Sequence, residues 1–201
     1  MQRYPTERAA EIPDKPGLYS FSYNPFQKKR LGIYKDQEIG DERLSAALKV
    51  VKKKLSAYNN LASKAFLSLD VAEYNAGGRK ENSFRGEVVN FDYLDQVIGE
   101  ESGSEAYRFL SFLESASQLF RPLYCGMTFN QSLKTRYFQH KRDYDKTDYG
   151  TFGSRLRESG FLWPDIIFTT IEIPHANVSE DELRKMEKLL IVNSNPILNN
   201  R

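Results

Sequence analysis

Hydrophobic and polar positions follow two different periods along this chain. Leu18-Tyr19-Ser20-Phe21-Ser22-Tyr23 alternates at every second residue and predicts a strand. It is entered through the turn-rich Ile12-Pro13-Asp14-Lys15-Pro16-Gly17 and ended by Asn24-Pro25. Leu31-Gly32-Ile33-Tyr34 predicts a short return strand. From Asp41 onward, Leu44, Leu48, Val51, Leu55 and Tyr58 recur at helical spacing with lysines on the opposite face. A strand is expected over Ala65 to Val71. The polar stretch from Asn75 to Gly86, with Gly77-Gly78, reads as a mobile loop, and Phe91 to Ile98 as a short helix. Ser104 to Phe120 is a stronger helix. It has Tyr107, Leu110, Leu113 and Ala116 on one side and Phe109 and Phe112 on another, so it should be largely buried or face a partner.

The second half carries a less ordinary pattern. Leu123-Tyr124-Cys125-Gly126 opens as a strand, Thr128 to Ser132 is a polar turn, and a helix follows. Leu133, Arg136, Tyr137 and His140 share one face of that helix. A core-facing stripe should be apolar, and this one holds an arginine and a histidine. A buried guanidinium needs a carboxylate, a phosphate or several carbonyls to offset lost hydration. Phe152 to Glu158 predicts a short basic helix and Asp165 to Ile173 a strand. Ser179 with Glu182 forms a capping-box pattern that starts a helix. Its apolar stripe is Leu183, Met186 and Leu190, with Glu187 in the middle. An unpaired carboxylate there costs roughly several kcal/mol. Arg136 and Glu187 therefore form one constellation: a structural ion pair, or the two sides of a ligand site.

Composition narrows the class. A chain of 201 residues with 40% hydrophobic positions suits one domain with a large insertion, or one and a half domains. The net charge of +2 says little, although basic clusters occur at Lys28-Lys29-Arg30, Lys52-Lys53-Lys54, Lys141-Arg142 and Arg155/Arg157. With one cysteine, no intrachain disulfide forms, and one Cys with two His cannot build a finger-type zinc site. Cys125 is expected to be a small buried hydrophobe. The N-terminal residues lack the apolar core of a secretory signal, and no run approaches the ~18 apolar residues of a membrane span. A cytoplasmic protein with no membrane partner is expected.

Five segments, in order, resemble the GIY-YIG nuclease family. Pro16-Gly17-Leu18-Tyr19 resembles the first half of its signature and Leu123-Tyr124-Cys125-Gly126 the second. Leu133-x-x-Arg136-x-x-x-His140 is similar to the helix that follows. Glu187-x-x-Leu190-Ile191 is similar to the family's late metal-binding helix, and Pro196 and Asn199 to its closing segment. The resemblance covers about residues 12–23 and 121–199. Gly32-Ile33-Tyr34 spells the first half literally and is the rival placement. Tyr19 is preferred for its Pro-Gly lead-in and the Ser20-Phe21 that follows. The chain departs from the family in the long separation of its two tyrosines, and in Met127, where a lysine is frequent.

The resemblance implies an α/β (α+β) fold with a small three-stranded antiparallel sheet flanked by helices. The nuclease domain would span residues 12–201, interrupted by a mixed α/β insertion at about 35–118, with residues 1–11 a flexible leader. It implies a metal-dependent endonuclease acting on DNA, RNA not excluded, with one Mg²⁺ (or Mn²⁺) held by Glu187. Arg136 would bind the phosphate. Tyr19 would orient or deprotonate the water, with Tyr124 hydrogen bonding to phosphate or to Tyr19. His140 would be a second phosphate donor or the alternative base, and Asn199 would tie the closing segment to the site. The insertion would serve target recognition or homodimerisation, since a compact core contacting phosphates reads little sequence. The rival classes are a silent nucleic-acid-binding module and a protein-interaction module on the same fold.

Overall fold

The computed structural model describes residues 1–34, 40–64, 71–75, 78–82, 103–146, 149–173 and 178–199. The chain folds as an α+β protein on a four-stranded antiparallel sheet. In chain order the sheet strands are β1 (Gln2–Pro5), β2 (Gly17–Tyr23), β5 (Tyr124–Thr128) and β6 (Ile166–Glu172), arranged β1-β6-β2-β5. Two further strands, β3 (Val71–Asn75) and β4 (Gly78–Asn82), pair only with each other. The helices are α1 (Asp41–Lys64), α2 (Gly103–Ala116), α3 (Leu133–Asp145), α4 (Phe152–Glu158) and α5 (Glu180–Ser194).

The alternation of β2 places Tyr19, Phe21 and Tyr23 on one buried face. Phe21 stands opposite Tyr124 on one side and Phe168 on the other. Helices α3 and α4 close over this face. Phe21 packs 4.7 Å from the Phe152 ring and 6.3 Å from the Tyr137 ring, centroid to centroid. Trp163 joins them, donating its indole N–H to the Tyr137 hydroxyl at 3.0 Å. Rings of this size dominate burial, and each needs a partner for its polar tip.

A second apolar cluster lies on α1. The expected helical stripe Leu44, Leu48, Val51 and Leu55 is buried there with Phe26, Leu31, Ile33 and Leu110 of α2. Tyr58 joins the two clusters: it stacks on Tyr23 and Phe120 and donates to the Arg121 carbonyl. Beside it, Lys54 Nζ meets the buried Asp165 carboxylate at 2.8 Å.

Three expectations need correction. The sheet has four strands, not three, because residues 2–5 of the expected leader pair with β6 and bury Tyr4 against the core. This covers an edge of β6 that would otherwise expose its backbone groups. Leu31 to Tyr34 is not a return strand. Lys28–Leu31 is a 3-10 turn ended by Gly32 at φ 71°, a left-handed conformation that glycine adopts without a side-chain clash. Asn75 to Gly86 was expected as a loop, but Asn75 and residues 78–82 belong to the antiparallel pair β3–β4, with Asn75 opposite Gly78; residues 76–77 and 83–86 lie outside the described residues. In α2, Phe112 is exposed while Leu110 is buried, so that helix is covered on one side only. Of the expected strand over Ala65 to Val71 only Val71 is described, as the first residue of β3, and the expected helix over 91–98 lies outside the described residues. Among the described residues, no helix is long and apolar enough to cross a membrane.

Candidate active site

Pairing of β2 with β5 sets Tyr19 opposite Gly126. The phenol lies across that glycine: a Cβ on residue 126 would sit 2.7 Å from Tyr19 Oη and 3.0 Å from Tyr124 Cε1. Any side chain there would displace both tyrosines. This gives the glycine of the second signature half a steric reason.

Helix α3 is aimed at the same place. Ser132 caps it, accepting from the Thr135 N–H. Its first-turn donors, Leu133 N–H and Lys134 N–H, go to the carbonyls of Lys15 and Pro13, just before β2. The helix start is thereby tied to the start of the strand that carries Tyr19. Arg136 and His140, one turn apart, both reach the phenol. Arg136 Nε donates to Tyr19 Oη at 3.1 Å, and His140 Nε2 lies 2.9 Å from the same oxygen. Arg136 Nη1 donates to Gln139 Oε1 at 3.0 Å. The Tyr124 ring stands 6.1 Å from Tyr19 and 5.5 Å from His140.

Burial sets the protonation states. Tyr19 is 2% exposed, and burial, then Tyr124, push its pKa well above that of a free phenol against the pull of Arg136. Burial and the charges of Arg136 and Arg155 push His140 down to about 3. Among the described residues its Nδ1 has no hydrogen-bond partner. At neutral pH the pair is therefore a neutral phenol against a neutral imidazole. Burial works against the Arg136 cation, but Tyr19 and Tyr124 more than compensate, and its pKa is raised.

Glu187 comes from the other side of β5. Helix α5 starts at the expected capping box of Ser179 and Glu182. One turn after the buried Leu183, Glu187 Oε1 accepts the Met127 N–H at 3.1 Å. β5 is the sheet edge, so this N–H would otherwise lack a strand partner. Burial raises the Glu187 pKa, while the Met127 N–H, Arg184 and Arg136 hold it back. Arg136 and Glu187 do not pair with each other. Both line a solvent-open hollow of about 310 Å³, together with Met127 to Gln131, Glu180 and Arg184.

The residues fit one hard divalent ion. Among the described residues no three His, Cys, Asp or Glu groups converge. Glu187 has, among the described residues, a hydrogen-bond partner on one carboxylate oxygen only, and it stands on the wall of the hollow. One carboxylate with room for water suits Mg²⁺, which gives up its hydration shell reluctantly.

The structure thus brings Tyr19, Tyr124, Arg136 and His140 together, with Arg136 and Glu187 on a shared hollow. Tyr19 and His140 lie one layer behind Arg136. His140 faces the phenol and not the hollow, so a direct phosphate contact does not fit its position. Asn199 lies apart, on the β5 edge: its Oδ1 accepts the Cys125 N–H at 2.9 Å and its Nδ2 donates to the Cys125 carbonyl at 2.8 Å. It ties the closing segment to β5, where a tie to the site was expected, and it does not line the hollow. Cys125 is buried as expected, and burial pushes its thiol up to about 11. The rival Tyr34 is half exposed, next in the chain to Ile33 of the second cluster, and does not line the hollow with Arg136.

Two arginines were missed. Arg184 lies three residues before Glu187 on the same helix, a spacing that could have flagged it. Arg155, noted only within a basic cluster, clamps the Leu198 and Gly150 carbonyls, and its charge acts on His140. No protein-family model, curated protein or solved structure matches the chain.

Proposed function

We propose that the chain is a metal-dependent endonuclease of the GIY-YIG type that hydrolyses DNA phosphodiester bonds in the cytoplasm. One observation carries the reading: Arg136 joins a buried Tyr19–His140 pair to a hollow whose wall also bears Glu187. An isolated structural ion pair would have closed Arg136 onto Glu187 and left no hollow between them.

Arg136 binds the phosphate through its planar guanidinium, held in place by Tyr19 and Gln139. Glu187 would hold one Mg²⁺ or Mn²⁺ ion, which supplies charge to polarise a phosphate oxygen and the leaving 3′ oxygen. The attacking water gives its proton to solvent in the hollow, a transfer that a divalent ion on Glu187 would favour by lowering the water's pKa. Tyr19 Oη lies one layer behind the hollow and acts through Arg136: with His140 Nε2 2.9 Å away on its other side, it accepts from Arg136 Nε and fixes the direction of the guanidinium. Tyr124 packs against both rings and restricts their motion.

The test is plasmid nicking with Mg²⁺ or Mn²⁺. Glu187→Gln and Arg136→Ala should each lower the cleavage rate about 10²-fold or more, the scale of losing one transition-state donor. Glu187→Gln should still bind DNA. Binding with no cleavage of DNA or RNA under any divalent ion would instead make the chain a silent binding module. A chain that neither cleaves nor binds would point to protein interaction.

A further inference from the structure

Arg184 and Arg136 stand on the same hollow but differ in their partners. Arg136 is fixed by Tyr19 and Gln139. Among the described residues Arg184 has one partner, Glu180 Oε1 at 2.6 Å, four residues earlier on α5, and that pair is largely in water, with the side chains 57% and 36% exposed. An exposed pair of this kind is weak, because solvent and salt compete for both charges. Arginine on a phosphate makes stronger, charge-assisted bonds through two N–H groups. Arg184 also acts on the Glu187 carboxylate ahead of Arg136. It therefore lies close to where a phosphate near Glu187 would sit. Three residues of helix separate the two by about 4.5 Å along the axis, which offsets the guanidinium from the reacting group toward a neighbour.

Charge balance gives the pair a further consequence. The ionised side chains lining the hollow are Arg136, Arg184, Glu180 and Glu187, which cancel. While Glu180 holds Arg184, the hollow attracts a polyanion weakly. A nucleic-acid backbone arriving there repels Glu180 and offers Arg184 a better acceptor.

We propose that Arg184 is a second phosphate contact, on the residue flanking the scissile one, and that Glu180 is the competing acceptor that occupies it when nucleic acid is absent. This rests on the nuclease reading of the hollow.

The measurement is affinity for a labelled DNA duplex over a range of salt, in the Glu187→Gln protein. That change keeps an acceptor for the Met127 N–H and stops hydrolysis. Adding Arg184→Ala should weaken binding to all sequences alike and lower the slope of log K against log salt by about one. Arg184→Lys should restore the slope but not the full affinity. Glu180→Gln should tighten binding. Thermal melts of the exposed-site variants should match the parent. If Arg136→Ala lowers the slope and Arg184→Ala changes neither slope nor affinity, the role of Arg184 is overturned and the hollow stands as a phosphate site. Should neither arginine move the slope, the nuclease reading fails with it. An unchanged affinity in Glu180→Gln removes the competing-acceptor role.

Discussion

The imidazole of His140 lies under α3 with Tyr19 on its Nε2 and, among the described residues, no partner on Nδ1. Its proton affinity is held down to about 3 by burial and by two arginines. In the unfolded chain it would titrate near 6.5. Between those values the unfolded state binds the extra proton, so stability is full above about pH 6.5 and is lost as the pH falls towards 3. Urea unfolding of wild type and His140→Gln across pH 7 to 4 should show the steeper acid loss in wild type. The difference is at most about 1.4 kcal/mol per pH unit, the linkage slope of one proton. A variant with the same acid slope as wild type would mean that the folded histidine titrates normally. At this scale the candidate chemistry was largely legible, because Arg136 and His140 stood out as charged positions on an apolar stripe. The depth of His140 was not, since burial depends on what Phe21, Phe152 and Tyr124 do around it.

Strand β5 shows how elements are held. As the sheet edge it needs acceptors and donors from outside the sheet, and it finds them in three places. Leu198 N–H donates to the Leu123 carbonyl at 2.7 Å, Asn199 takes both backbone groups of Cys125, and Glu187 accepts from Met127. Asn199→Ala leaves an N–H and a carbonyl of a buried residue without partners. It should cost about 1–3 kcal/mol in chemical denaturation. Cleavage under conditions where the variant is folded should suffer far less than in Arg136→Ala, because Asn199 acts through the strand. Equal catalytic loss in both would place Asn199 in the chemistry. The helices and caps of these elements were legible, since capping and periodicity are local. β1 was not: four residues ending in proline carry no readable alternation, and only the open edge of β6 explains them.

Across the whole molecule, the described part of the region expected as an insertion is joined to the rest of the chain by the Lys54–Asp165 ion pair, by Tyr58, and by Leu61 and Ala62 against the sheet's core. It is also joined by the apolar cluster that α1 and α2 share with Phe26, Leu31 and Ile33, and by a Lys28–Glu114 ion pair. Asp165 is 2% exposed and has Lys54 Nζ on both oxygens. Lys54→Met removes the cation that faces the buried Asp165 carboxylate and should destabilise the fold by about 3–5 kcal/mol. The double variant with Asp165→Asn should recover part of the loss, because no buried charge then stands alone. Thermal unfolding of the two single variants and the double variant forms the cycle. If Lys54→Met melts like wild type, α1 is not anchored there.

Residues near each other in the chain determined much of this protein: the β2 alternation, the α1 and α3 stripes, the Ser179 cap, and the charged positions at Arg136 and Glu187. Those features arise from backbone hydrogen bonding and side-chain spacing within a few residues. Tertiary structure alone decided that Tyr19 and His140, 121 positions apart, share a hydrogen bond. It also decided that Glu187 meets the edge of β5, that Arg184 joins Arg136 on one hollow, and that residues 2–5 complete the sheet. Strand order, burial and the proton affinities they set depend on groups brought together by packing, and no local pattern encodes those distances.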